Sequence, residues 1–215
     1  MRDPLLSRKL KAKMRMRTLC SLALGALAST QVEAQFAPIP LGAGSYTHDI
    51  IVEKEAIHTF VPASTASMDG GTNNTGSTWY EVGYNFDFPF TGIPAADAVI
   101  FSETAADHSF RMPADYAAEN ALMIDQAIRE GTLTLTSPAA YSGVSLLASA
   151  ANGAVVLDYT INFVGGATET GTVTAPDWSG GPPVAITTRG RVEPLSFNFS
   201  AVDTDNPRLY AVDIP

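Results

Sequence analysis

The sequence predicts an all-β protein, a two-sheet antiparallel β-sandwich of jelly-roll type. Three observations predict it. Roughly eight to eleven short β-prone segments are separated by Gly, Pro and Asn turns. The clearest segments alternate strictly: GTLTLTSP sets Leu133 and Leu135 on one face and Thr on the other, and Leu157, Tyr159, Ile161 and Phe163 share a face of VVLDYTINFVGG. Only one stretch, ADYAAENALMIDQAIREG, competes as a helix, and NALMID within it also fits a strand.

Taken in order, Pro38 and Pro40 bar a helix from residues 35–44, which read as an extended segment. The β-sandwich domain then spans 45–215. SYTHDIIVE alternates into an apolar run, and STWYEVGYNF follows the turn-rich loop SMDGGTNNTGS. HSFRMP is a strand, NALMID another, with at most a turn or two of helix between Asp125 and Glu130. SLLASA and VVLDYTINFVGG are expected to form a hairpin through ANG, and VGGATETGTVT a second hairpin with Gly-Gly at its turn. AITTRGRVE, PLSFNF and PRLYAVDI complete the set. The last of these ends the chain, so an unpaired edge is expected there, with a final strand lacking.

The first 34 residues differ from the rest. Arg2, Arg8, Lys9, Lys11, Lys13, Arg15 and Arg17 precede a short apolar run, TLCSLALGALAS, and small residues at VEA. This is the layout of a secretory signal peptide cut after Ala34, with later starts available at Met14 and Met16. The alternative is a retained basic helix. The chain after Ala34 keeps six basic residues against 20 acidic ones, a net charge near −14, and Lys54 is its only lysine. Such a surface repels phosphate backbones and excludes nucleic acid as a partner. No apolar run after residue 34 is long enough to span a membrane. Cys20, the only cysteine, lies in the leader, so the remainder has neither disulfide nor thiolate chemistry.

DIIVE, WYEVGYN followed by TGIPAA, HSFRMPADYAAENALMID, GTLTLTSPAAYSGVSLLASAANG, TGTVTAPDW, PVAITTRGRV and NPRLYAVDI occur in this order over nearly all of residues 45–215. Together they resemble a secreted jelly-roll-like β-sandwich module of exported, often multidomain bacterial proteins, mostly of unknown function and similar to carbohydrate-binding modules. The resemblance implies a β-sandwich and carries no catalytic residue set. Two departures stand out: Ser179 follows Trp178 where the family often has an aromatic, and the family usually continues past the strand that ends here at Pro215.

Catalytic chemistry finds no motif. His48, His58 and His108 lack zinc-binding spacing, and neither a G-x-S-x-G elbow nor a phosphate-binding glycine loop occurs. Twenty acids make a glycosidase carboxylate pair possible in principle, which discriminates nothing. Calcium is the most credible ion: Asp69, Asn73 and Asn74 in one loop, and Asp203, Asp205 and Asn206 in another, offer the oxygens that a hard cation takes. The same residues build turns without an ion. Asn73 and Asn198 begin N-x-[ST] sequons. Sugar binding needs an aromatic face with amides or carboxylates nearby, and Trp178 with Asp177, and Trp79 with Tyr80, supply those pieces. For Trp178 a core-capping role outweighs the binding role, with Asp177 ordering the turn by accepting backbone N–H bonds. The sequence thus reads as a secreted, non-catalytic module of the cell exterior. It binds extracellular or cell-surface glycan in one reading and acts as a structural or protein-interaction module in the other.

Overall fold

A computed structural model describes residues 36–54, 64–196, 198 and 206–215. By contacts the chain divides into Met1–Ala34 and Gln35–Pro215, and all described residues belong to the second unit. The signal-peptide reading lies outside them, as do His58, Asp203 and Asp205.

The described residues are all-β, with nine short strands and no α-helix. No described helix is long and apolar enough to cross a membrane. The strands form four small sheets. β1 (Ile51–Val52) pairs in parallel with β2 (Trp79–Tyr80), and β3 (Val99–Phe101) pairs antiparallel with β4 (Ser109–Arg111). β5 (Val144–Ala148), β9 (Arg208–Ile214) and β8 (Ile186–Thr187) make a three-stranded antiparallel sheet with β9 in the middle. β6 (Val155–Asn162) and β7 (Thr168–Ala175) make a long antiparallel hairpin.

Between these strands the backbone is tied by backbone bonds outside the ladders and by polar side chains. Asn120, 2% exposed, shows how. Its Oδ1 accepts the N–H groups of Ile50 and Ile51 at 3.0 and 3.2 Å, and its Nδ2 donates to Asp49 Oδ1 and to the Tyr116 and Ala118 carbonyls. It thereby satisfies the strand edge that a neighbouring strand would otherwise satisfy. Asp125 does the same in its loop, accepting from the Thr72 N–H and hydroxyl and from the Ala127 and Ile128 N–H groups.

The main core joins Ile50, Ile51, Trp79, Ile93, Ile100, Phe110, Met112, Tyr116 and Met123. Val52, Tyr80, Tyr84 and Val192 form a second cluster, and Val184, Tyr210 and Val212 a third. Each large apolar side chain so enclosed contributes about 1.5–3 kcal/mol relative to exposure. At another corner His108, buried, lies between two acids: Nδ1 is 2.8 Å from Asp107 Oδ1 and Nε2 is 3.1 Å from Asp213 Oδ1. Phe36 stacks on its ring with centroids 4.1 Å apart.

Several sequence expectations are corrected. PRLYAVDI is not an edge, because β9 pairs with both β5 and β8. The hairpin through ANG does not form, since β5 pairs with β9 and β6 with β7. Asn152 and Gly153 do turn, at φ of 62° and 108°, but Asp177 Oδ2 takes the Gly153 N–H and leads the chain away. NALMID is extended with a single bridge, Ala121 to His48, and there is no helical turn between Asp125 and Glu130. GTLTLTSP keeps its alternation in burial but makes only one bridge, Leu135 to Leu41. Within PLSFNF, residues 194–196 form a turn. The Gly-Gly hairpin is found, with Gly165 and Gly166 at φ of 105° and 89°. Its alternation is also found, yet the apolar face faces no closed core: Leu157, Tyr159 and Ile161 are half-buried and Phe163 is exposed. Tyr159 lies across Gly171 on β7, where a Cβ would meet its hydroxyl at 2.5 Å.

Candidate binding surface

Two surface regions carry polar or aromatic groups held in fixed geometry. The first is built around Trp178. Its backbone N–H donates to the Ala150 carbonyl and its carbonyl accepts from the Arg208 N–H, at 2.8 and 2.9 Å, so the residue is fastened on both sides. The indole is half-buried, and the Arg191 guanidinium lies over it, 4.0 Å from the ring centre. Arg191 Nη1 also reaches Asp69 Oδ1 and Oδ2 at 2.8 and 2.6 Å. Asn152 Nδ2 donates to the Asp69 carbonyl, which brings the loop after β5 into the same corner.

Asp177 behaves as the sequence predicts. Its carboxylate accepts the N–H groups of Gly153 and Ser179 and the Ser179 hydroxyl, at 2.6, 2.9 and 2.6 Å. Partial desolvation works against its charge, but these donors prevail and hold its pKa below the ordinary carboxylate value.

The other predicted site residues are placed differently. Trp79 is buried in the main core and Tyr80 is fully enclosed, so neither presents a face to a sugar. The Tyr80 hydroxyl sits 2.7 Å from Thr91 Oγ1 and 3.0 Å from the Arg189 carbonyl, satisfied internally. Asp69, a residue of the calcium reading, has its oxygens bonded by Arg191 and by the Ser77 N–H. Asn73 points to solvent on its turn, while Asn74 is tied to Ser64 at 2.7 and 3.2 Å. Among the described residues no cluster of three or more His, Cys, Asp or Glu is arranged to hold a metal.

The second region is the loop NFDFPF. Phe86, Phe88 and Phe90 are 68%, 47% and 94% exposed. The loop that carries them is nevertheless firmly footed. Buried Asn85 accepts the N–H groups of Asp87 and Phe88 through Oδ1, at 3.1 and 3.2 Å. Thr91 donates both its hydroxyl and its N–H to the Phe88 carbonyl. Gly92 closes the loop at φ of 99°, where a Cβ would collide with the Tyr80 carbonyl at 2.5 Å, so only glycine fits.

Sequence reasoning missed this loop by extending the strand through WYEVGYNF. Pro89 was the available signal, because proline inside an alternating run argues for a loop. Arg191 was missed as well, since nothing local marks it as the partner of Trp178.

A carboxylate cluster lies near β1. Burial pushes the Asp49 pKa up to about 7, with Glu53 and Asp115 adding repulsion and the Asn120 bond opposing them. Glu81, buried, accepts the N–H groups of Lys54 and Ala96 at 3.1 and 3.3 Å. The Asp49 carboxylate is bonded by the Asn120 amide, and Asp115 accepts the Ala117 N–H.

No protein-family model matches the chain, and no curated protein matches it.

Proposed function

We propose that the chain is a secreted, non-catalytic two-sheet β-sandwich module that attaches to a protein or matrix surface outside the cell. The observation that carries this reading is the loop that exposes Phe88 and Phe90. Two large apolar rings, Phe88 and Phe90, held in water by a pre-ordered loop are costly unless they meet a partner. Aromatic side chains on a rigid support are the usual anchors of such contacts. The order of motifs across residues 45–215, similar to exported bacterial modules, agrees with it.

Glycan binding is the second reading, favoured by the Trp178 corner, where an indole, a guanidinium and an Asn amide converge. One experiment separates the two. Retention of the exported protein on extracellular matrix and on a glycan array is compared for the wild type, Phe88→Ser/Phe90→Ser and Trp178→Ala, with and without a calcium chelator. Surface attachment predicts that matrix retention falls only in the Phe variant. Array binding lost only in Trp178→Ala would replace this reading with the glycan one. Undiminished matrix retention by the Phe variant would refute it.

A further inference from the structure

Among the described residues, the hairpin β6–β7 leaves the outer edge of β6 open. The Phe163 N–H donates to the Ala167 carbonyl at 2.9 Å, which makes these residues a directly bonded pair at the end of the ladder that runs from Val155↔Ala175 to Asn162↔Thr168. Bonded and non-bonded pairs alternate along an antiparallel ladder. The odd-numbered residues of β6 therefore turn N–H and C=O toward β7, and Val156, Asp158, Thr160 and Asn162 turn theirs away. Among the described residues no strand or backbone bond meets these four. Val156 is 66% exposed and Val164, just beyond the strand, 86%. An open row of this kind, rich in β-branched and aromatic residues, is a template for another strand.

We infer that a second copy of the chain docks here, β6 against β6, antiparallel about a two-fold axis at Tyr159, to make a continuous sheet β7-β6-β6-β7. Three constraints select this pairing. Outward residues must face outward residues, so an even-numbered position must lie opposite an even-numbered one. Centring the pair on Asp158 would set two carboxylates directly opposite, which is destabilising. Centring it on Thr160 would run Val155 against Gly165, past the end of the strand. Centring it on Tyr159 places Asp158 opposite Thr160, a hydroxyl donor for the carboxylate, and Val156 opposite Asn162. On the other face the same register sets Val155 against Phe163, Leu157 against Ile161 and Tyr159 against itself, apolar against apolar over the whole strand. The outer edge of β7 offers no such match, because the corresponding pairing sets Glu169 against Val173 around Gly171.

The pairing is isologous, so it closes on itself. Both copies carry excess negative charge, and the two Asp158 side chains fall on diagonal positions about 7–8 Å apart. Salt screens that repulsion and strengthens association. The inference is independent of the role assigned to the Phe loop.

Sedimentation velocity of the full chain, over a range of concentration and at low and high salt, tests it on the wild type, Thr160→Val and Thr160→Pro. Proline at 160 removes an outward N–H and obstructs the edge while sparing the bonds to β7. The expected result is a reversible dimer, tighter in salt, kept by Thr160→Val and weakened roughly tenfold or more by Thr160→Pro. Should Thr160→Pro lose its fold, a Cys20→Ser background gives a second readout. There Tyr159→Cys should form an intermolecular disulfide on mild oxidation and Thr160→Cys should not. A wild type that stays monomeric, a dimer indifferent to a folded Thr160→Pro, open-ended assemblies, or crosslinking at 160 rather than 159 would each overturn the proposal. So would a monomer whose Val156, Asp158, Thr160 and Asn162 amides resist hydrogen exchange, since a different segment would then occupy the edge.

Discussion

Arg191 lies over the indole of Trp178 at 4.0 Å while its Nη1 grips both oxygens of Asp69, so one cation couples an aromatic of the loop after β7 to a carboxylate of the loop before β2. Trp178 is half-buried, not enclosed. Deleting a fully buried aromatic costs about 3–5 kcal/mol, and Trp178→Ala should fall below that, at about 1–3 kcal/mol. A double-mutant cycle with Arg191→Ala should give a coupling of about 0.5–2 kcal/mol by denaturant unfolding. Arg191→Ala alone should raise the quenching of Trp178 fluorescence by iodide.

Asn120 is expected to be among the most sensitive polar positions. Asn120→Leu strands the Ile50 and Ile51 N–H groups in the core, each costing about 1–3 kcal/mol. Asn120→Asp keeps the acceptor but sets a second carboxylate against Asp49. Both should lower the melting temperature strongly, whereas Asn73→Ala, on an exposed turn, should leave it nearly unchanged.

Stability should peak in mildly acidic solution. Asp49 has its pKa raised from 3.8 to about 7, so the folded state holds a proton that the unfolded chain has released. Its contribution is full below the unfolded value and is lost as pH rises through about 7. Asp107, Asp125 and Asp177 have lowered values, the first chiefly through its bond to His108, and their contributions are lost as pH falls through the carboxylate range. Chemical denaturation across pH should therefore show a decline toward neutrality that Asp49→Asn flattens. A decline that persists in Asp49→Asn would assign it to other groups.

Ile161→Asp should be tolerated. Ile161 is half-buried on a hairpin whose apolar face is not closed over, so the new carboxylate keeps access to water. Val192→Asp, at a position with no exposed surface, should prevent folding, because the charge would be enclosed without a partner. Circular dichroism of the two variants distinguishes the half-open face from the core.

The difference between those two positions marks what the sequence carries. The β6–β7 hairpin was legible because alternation and a Gly-Gly turn are local signals. The β5–β9 pairing was not, since Val144 and Ile214 meet only through contacts that no local pattern encodes. For the same reason Asn152–Gly153 read as a hairpin turn, although the decisive partner of Gly153 is Asp177, far along the chain. Among the site residues, Asp177 was legible because Asp before a Pro/Gly-rich loop accepts nearby N–H groups. Trp79 and Tyr80 were not, because an aromatic in an apolar run looks the same whether it fills a core or faces a ligand.

His108 touches Phe36, near the start of the described unit, and Asp213, near its end. The two extremities thus share one side chain, and a short peptide would suffice to join them. The chain should then tolerate being re-cut: a circular permutant linked from Pro215 to Gln35 and opened between Gly165 and Gly166 keeps every strand intact. In a string of such modules, each would hang from its neighbours by a single corner, that of His108.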